Sequence, residues 1–164
     1  MTWDLTTGLF LQLHVALSLA GLGTGILVIL SMLRGRLPWR LTNTALAALI
    51  LTDITGFPLA PFGIDPARII GIVSLVLLGV ALLALHGGRL AGASRWLFPL
   101  AAIPAVYLDA LVTIVQAFQK LPPLAQLAPT QTELPFIVVQ GLTLAFFAAA
   151  LATSLRVVRP QTAI

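Results

Sequence analysis

Three ionisable side chains stand inside long apolar stretches of this chain: His14, Asp53 and Asp109. Imidazole and carboxylate together are the groups of proton transfer and general acid–base work. One histidine with two carboxylates also has the atoms to hold a first-row metal ion. Amides and hydroxyls recur around them at helical spacing. His14, Ser18, Gly21 and Gly25 fall on one helix face, and Gly21-x-x-x-Gly25 lets a second helix approach it closely. Asp109, Thr113, Gln116 and Lys120 form a polar stripe, Asp53 has Thr52 beside it and Gly56 about a turn on, and Gln140 has Thr143 one turn deeper. Each of these faces also has a plainer reading, as a packing seam or as helices joined by hydrogen bonds.

These groups must be positioned by membrane helices. Of 164 residues, 59% are hydrophobic and 9% charged, against about 25% charged in a soluble domain. Too little charge is present to cover a water-exposed surface. Five apolar spans are expected, at about 8–33, 41–58, 67–86, 96–119 and 134–157, each near the ~20 residues that cross a bilayer core. The second is the shortest and begins with polar Thr42, Asn43 and Thr44, so a re-entrant hairpin with the third is the alternative. The first span is too long for a signal peptide and lacks a basic leader, so it is expected to remain in the mature protein. The 120–133 connection, with three prolines, is expected to be ordered without being helical throughout. The expected fold class is an all-α bundle of five transmembrane helices forming a single domain.

Charge sets the expected orientation. Arg34, Arg36, Arg40, Arg89, Arg95, Arg156 and Arg159 fall on one side of such a bundle. Arg68 and Lys120 fall on the other, with Asp4, Asp65 and Glu133. Cytoplasmic loops are enriched in Lys and Arg, which puts the N-terminus outside and the C-terminus in the cytoplasm. Trp39 and Trp96 then mark the inner boundary and Trp3 the outer one. Basic residues scattered between apolar segments are topology signals and do not form a nucleic-acid footprint.

Depth along the helices brings the polar groups to one slab. At 1.5 Å per residue, His14, Asp53 and Gln140 lie roughly 8–9 Å below the outer helix ends, Gln116 roughly 5 Å and Asp109 roughly 15 Å. The expectation is that they meet, and that an Asp–His contact eases the cost of a carboxylate there. The candidate ligand-binding or proton-relay residues are therefore His14, Asp53, Asp109, Gln116, Lys120 and Gln140. His86, beside Gly87 at the inner end of its span, reads as a helix-end cap.

Several chemistries are weighed against this set. A bis-histidine haem needs His14 and His86 at one depth, yet helix rise separates them by roughly 20 Å. Haem or a metal on His14 alone is the weak remaining cofactor option, and none is predicted. The chain has no cysteine, G-x-S-x-G or H-E-x-x-H, so no catalytic residue or reaction type is indicated. The leading expectation is a non-catalytic membrane subunit or small hydrophobic-ligand binder with a polar pocket open to the periplasmic side. Proton-linked transport is the alternative, and a cofactor- or metal-bearing redox protein the next. Expected partners are membrane lipids, and a larger membrane complex or a homo-oligomer.

The segments Leu51–Phe57 (LTDITGF) and Val115–Gln131 (VQAFQKLPPLAQLAPTQ) resemble an uncharacterised group of small polytopic bacterial inner-membrane proteins. The resemblance implies a similar helix arrangement and a bacterial inner (plasma) membrane. It attaches no activity. Asn stands at the position of Asp109 in some of that group, which shifts weight from the carboxylate to Gln116, Lys120 and Gln131.

Overall fold

A computed structural model describes residues 2–59 and 65–157, with side chains from residue 8 onward. Trp3 and Asp4, read as outer-side markers, have side chains outside the described residues, and so does Arg159 as a whole. Among the described residues there is no strand. The helices are α1 (Thr2–Leu33), α2 (Trp39–Gly56), α3 (Pro66–Leu82, continued by a π turn over Leu83–Gly87), α4 (Ser94–Lys120), α5 (Pro122–Leu127) and α6 (Leu134–Val157). Four stretches are long and apolar enough to cross a membrane: Gly8–Leu33, Pro66–Gly87, Ser94–Lys120 and Leu134–Val157.

The second expected span is helical, but α2 has only 18 residues and is not among those four. Its threonines and Asn43 are satisfied locally. Thr42, Thr44, Thr52 and Thr55 donate to the carbonyls of Pro38, Arg40, Ala48 and Leu51, and the Asn43 amide donates to Trp39 O. Back-bonding of this kind removes the cost of setting a hydroxyl in an apolar surrounding. It lets α2 bury Thr42, Ala45, Leu46, Ala48, Leu49 and Thr52 against its neighbours.

Short connections make consecutive helices neighbours. α1 ends at Gly35, whose φ of +68° suits a residue without a Cβ, and Pro38 leads directly into α2. The Gly21/Gly25 face serves two partners. A Cβ on Gly21 would lie 3.0 Å from Leu49 of α2, and one on Gly25 would lie 2.8 Å from Val106 of α4. α4 is the central post, burying Phe98, Ala101, Ala102, Ile103, Ala105, Val106, Ala110 and Phe118 while touching α1, α2, α3 and α6. α6 is the most loosely held and buries only Phe147, Ala150 and Ser154.

The apolar core lies in one half of the bundle. It joins Val28, Ile29 and Met32 of α1 to Leu46 and Leu49 of α2, Leu78 and Leu85 of α3, and Phe98 and Ile103 of α4. This is the half that carries the arginines. A void of about 10 Å³ between α1, α2 and α4 is at the limit for one water molecule. The Arg-rich half is therefore closely packed and mainly apolar. The buried polar atoms of the site are gathered in the other half.

The connection after α4 is partly helical, as expected, with α5 occupying six residues. Gln131, at φ +59°, donates its amide to Val115 O at 3.0 Å, which holds the connection against the C-terminal end of α4. The Glu133 carboxylate accepts from the Thr130 hydroxyl at 2.8 Å and from the backbone N–H groups of Thr130 and Thr132. At the neighbouring loop Asp65 caps α3 by accepting from Arg68 N, and its carboxylate pairs with the Arg68 guanidinium at 2.6 Å. Arg68 also donates to the carbonyls of Phe57 and Leu59, tying the end of α2 to the start of α3.

Candidate functional site

The polar groups of the Arg-poor half are arranged in two steps along α1. At the upper step His14 Nδ1 lies 2.9 Å from Thr55 Oγ1 of α2. The Thr55 proton is committed to Leu51 O at 2.7 Å, so the hydroxyl accepts and His14 carries its proton on Nδ1. The imidazole packs against α2 at Gly56. A Cβ there would stand 3.4 Å from His14 Cε1. Lys120, at the end of α4, is exposed but near enough to repel a charge on His14.

One turn deeper, Ser18 donates to Asp109 Oδ1 at 2.9 Å. Its oxygen lies 3.3 Å from Thr113 Oγ1. With the Ser18 proton spent on Asp109, that contact is accepted from Thr113. Thr113 of α4 and Ser18 of α1 thus form a two-hydroxyl chain that ends on the carboxylate.

Asp53 points to a different neighbour. It faces α3, with Ser74 within hydrogen-bonding reach, and a Cβ on Gly71 would lie 4.0 Å from Oδ1. Asp109 is close enough to repel it. Gln140 of α6 reaches α4 and donates to Leu111 O at 3.3 Å.

The expected Asp–His contact does not form. Among the described residues the one ion pair is Arg68–Asp65. The reason is depth: Asp109 sits level with Ser18, about 6 Å further along α1 than His14. No group of three His, Asp or Glu side chains among the described residues is placed to hold a metal ion. His14 and His86 also stay apart. They bond to Thr55 and Asn43, twelve positions apart along α2, or roughly 18 Å of helix rise.

What the arrangement lacks is donors. Among the described residues five side-chain oxygens are buried with no hydrogen-bond partner: Ser154 Oγ, toward the Arg-rich end of α6, and four in this half, Asp53 Oδ2, Asp109 Oδ2, Gln116 Oε1 and Gln140 Oε1. All four belong to the residues singled out by sequence. Buried polar atoms are normally paired, and each exception calls for an explanation. This set can accept hydrogen bonds and attract positive charge.

Thr55 and Ser74 complete the site and escape a reading by sequence alone. Thr55 lies among other threonines of α2 that only bond their own helix. Ser74 carried a signal, as the single hydroxyl between Ile69 and Leu82. No protein-family model, curated protein or solved structure matches this chain.

Proposed function

We propose that the chain is a non-catalytic inner-membrane subunit or binder that takes the donor-bearing head of a small hydrophobic ligand into the Arg-poor half of the bundle. The observation that carries this reading is the set of four buried, unpartnered acceptors on α2, α4 and α6. A hydroxyl or amine on an otherwise apolar molecule supplies what they lack, and the apolar remainder meets the exposed aliphatic surface of α6. The apolar core beneath favours a site reached from one side over a passage through the bundle. In this reading α2 is the fifth crossing, the N-terminus lies outside and the C-terminus in the cytoplasm of a bacterial cell. The arginine distribution supports that orientation.

The test compares organic extracts of the protein purified in mild detergent with those of Asp109→Asn and Gln116→Leu. The expected result is a hydroxyl- or amine-bearing amphiphile enriched with the parent and depleted with both variants. Identical extracts from all three proteins would remove the reading.

Proton-linked transport is the second reading. Asp53 and Asp109 favour it, each with one unpartnered oxygen and each within range of the other's charge. A proton delivered to either would itself supply a missing donor. Proteoliposomes under an imposed pH gradient distinguish the two, since a binder leaves the gradient intact.

A further inference from the structure

A second concentration of polar groups lies at the opposite, Arg-rich end, where α3 passes to α4. The last turn of α3 widens into a π turn, closed by Gly88 N–H donating to Leu83 O at 2.8 Å. Such turns recur at functional sites. The chain then reverses through Arg89 and Leu90, with φ of +47° and +56°. Two successive non-glycine residues in the left-handed region persist only where their surroundings hold them. Leu90 N–H donates to Ala84 O at 3.1 Å, and Gly88 is packed so tightly on Ser94 that no side chain fits.

The turn sets Arg89 beside an open recess of about 590 Å³ lined by Trp39, Leu85, His86, Arg89 and Leu90. That is a volume typical of small-ligand sites. His86 is fixed in the recess. The Asn43 amide is committed to Trp39 O, so its oxygen accepts from His86 Nε2 at 2.8 Å. The ring stands edge-on to Trp39 with centroids 4.9 Å apart, and Nδ1 has no hydrogen-bond partner among the described residues. The surrounding charge has one sign. Arg34, Arg36, Arg40, Arg89 and Arg95 gather at this end, and all five acids of the chain lie elsewhere. The buried Arg95 Nε has no partner.

We infer that this recess binds a phosphate group that keeps its net negative charge, carried by an anionic lipid head or free, and discriminates against a phosphate neutralised by its own choline. Arg89 is the principal ligand, His86 Nδ1 a second contact, and Trp39 the wall toward the apolar side. A guanidinium matches phosphate oxygens with paired donors, and basic recesses between helices are suited to anionic heads. Topology accounts for the number of arginines at this end. It does not account for the strained turn, the anchored histidine or the recess.

The test is native mass spectrometry of the detergent-purified protein with phosphatidylglycerol, phosphatidylcholine or inorganic phosphate. Phosphatidylglycerol is expected to be retained over phosphatidylcholine. Arg89→Gly should weaken that retention about fivefold, the effect of one arginine at a lipid surface. Glycine suits the left-handed backbone at residue 89, so this variant is expected to fold, with its thermal unfolding as the check. His86→Gln should weaken retention as well. The double variant Arg34→Gln/Arg36→Gln, which removes surface charge but no lining residue of the recess, should weaken it less than Arg89→Gly alone. Inorganic phosphate that binds alone and displaces the lipid would assign the site to a soluble phosphorylated ligand, and its failure to compete would assign it to the lipid head. Equal retention of both lipids with no phosphate bound, or equal losses in the double variant and Arg89→Gly, would overturn the inference.

Discussion

Asp109 has one oxygen on Ser18 and the other without a donor, and this asymmetry sets the expectations at the residue scale. Ser18→Ala leaves both oxygens unpartnered and should cost about 1–3 kcal/mol in detergent-unfolding measurements. Asp109→Asn should cost less. The amide retains an acceptor for Ser18 and can point its N–H₂ toward the unpartnered side, so the fold survives while any ligand donor is turned away. Glu133 gives the pH dependence. Its slight desolvation acts to raise the carboxyl, but the hydrogen bonds from Thr130 and Thr132 outweigh it and hold the group below the usual glutamate range. A group depressed in the folded state contributes order above its unfolded range and loses it as pH falls through the folded value. Hydrogen exchange over Thr130–Glu133 should therefore show protection at neutral pH that declines on acidification, beyond the intrinsic pH dependence of exchange, and declines less in Glu133→Gln.

At the scale of elements, two glycines of α1 separate packing from propensity. Gly25→Ala puts a methyl group 2.8 Å from Val106 and forces α1 and α4 apart, a cost of about 1–3 kcal/mol. Gly23→Ala meets nothing within 4 Å. It should be neutral or stabilising by about 0.5–1 kcal/mol, because alanine is the better helix former. Unfolding midpoints of the two variants read the contrast directly, and a loss in both would contradict the assignment of the α1–α4 seam. The same seam explains why the polar stripe of α4 is not simply lipid-facing. Close approach at Gly25 brings Ser18, two turns away, to the level of Asp109.

For the whole molecule, the central feature is the division between a half packed around the apolar core and a half that holds the unpartnered carboxyl and amide oxygens. The division is compatible with a site reached from one face. Whether α2 crosses is a question of topology that the chain itself makes easy to test, because it contains no cysteine. Single cysteines at Arg36 and Thr132 should be labelled from opposite sides of inverted and right-side-out vesicles. One at Gly92 should behave like Arg36. Labelling of Arg36 and Thr132 from the same side would exclude the five-crossing arrangement.

Much of this was legible without coordinates. Helix positions follow from apolar run length, because a bilayer demands about 20 residues of apolar helix whatever the neighbours are. The depths of His14 and Asp109 follow from helix rise, and with them the level at which partners could be found. Residue types also singled out the four side chains that prove short of donors. Partner identity was another matter. Periodicity says that His14 and Ser18 share a face, but Thr55, rather than Asp53, meets His14 because of how α2 is rotated. Asp53 turns to Ser74 for the same reason. The π turn and the left-handed Arg89–Leu90 pair are set by packing of Gly88 on Ser94, a contact that no local pattern announces. Apolar length and helix rise are properties of one segment and can be read in its residues. Rotation, register and the pairing of side chains between helices are settled only when all the helices pack together.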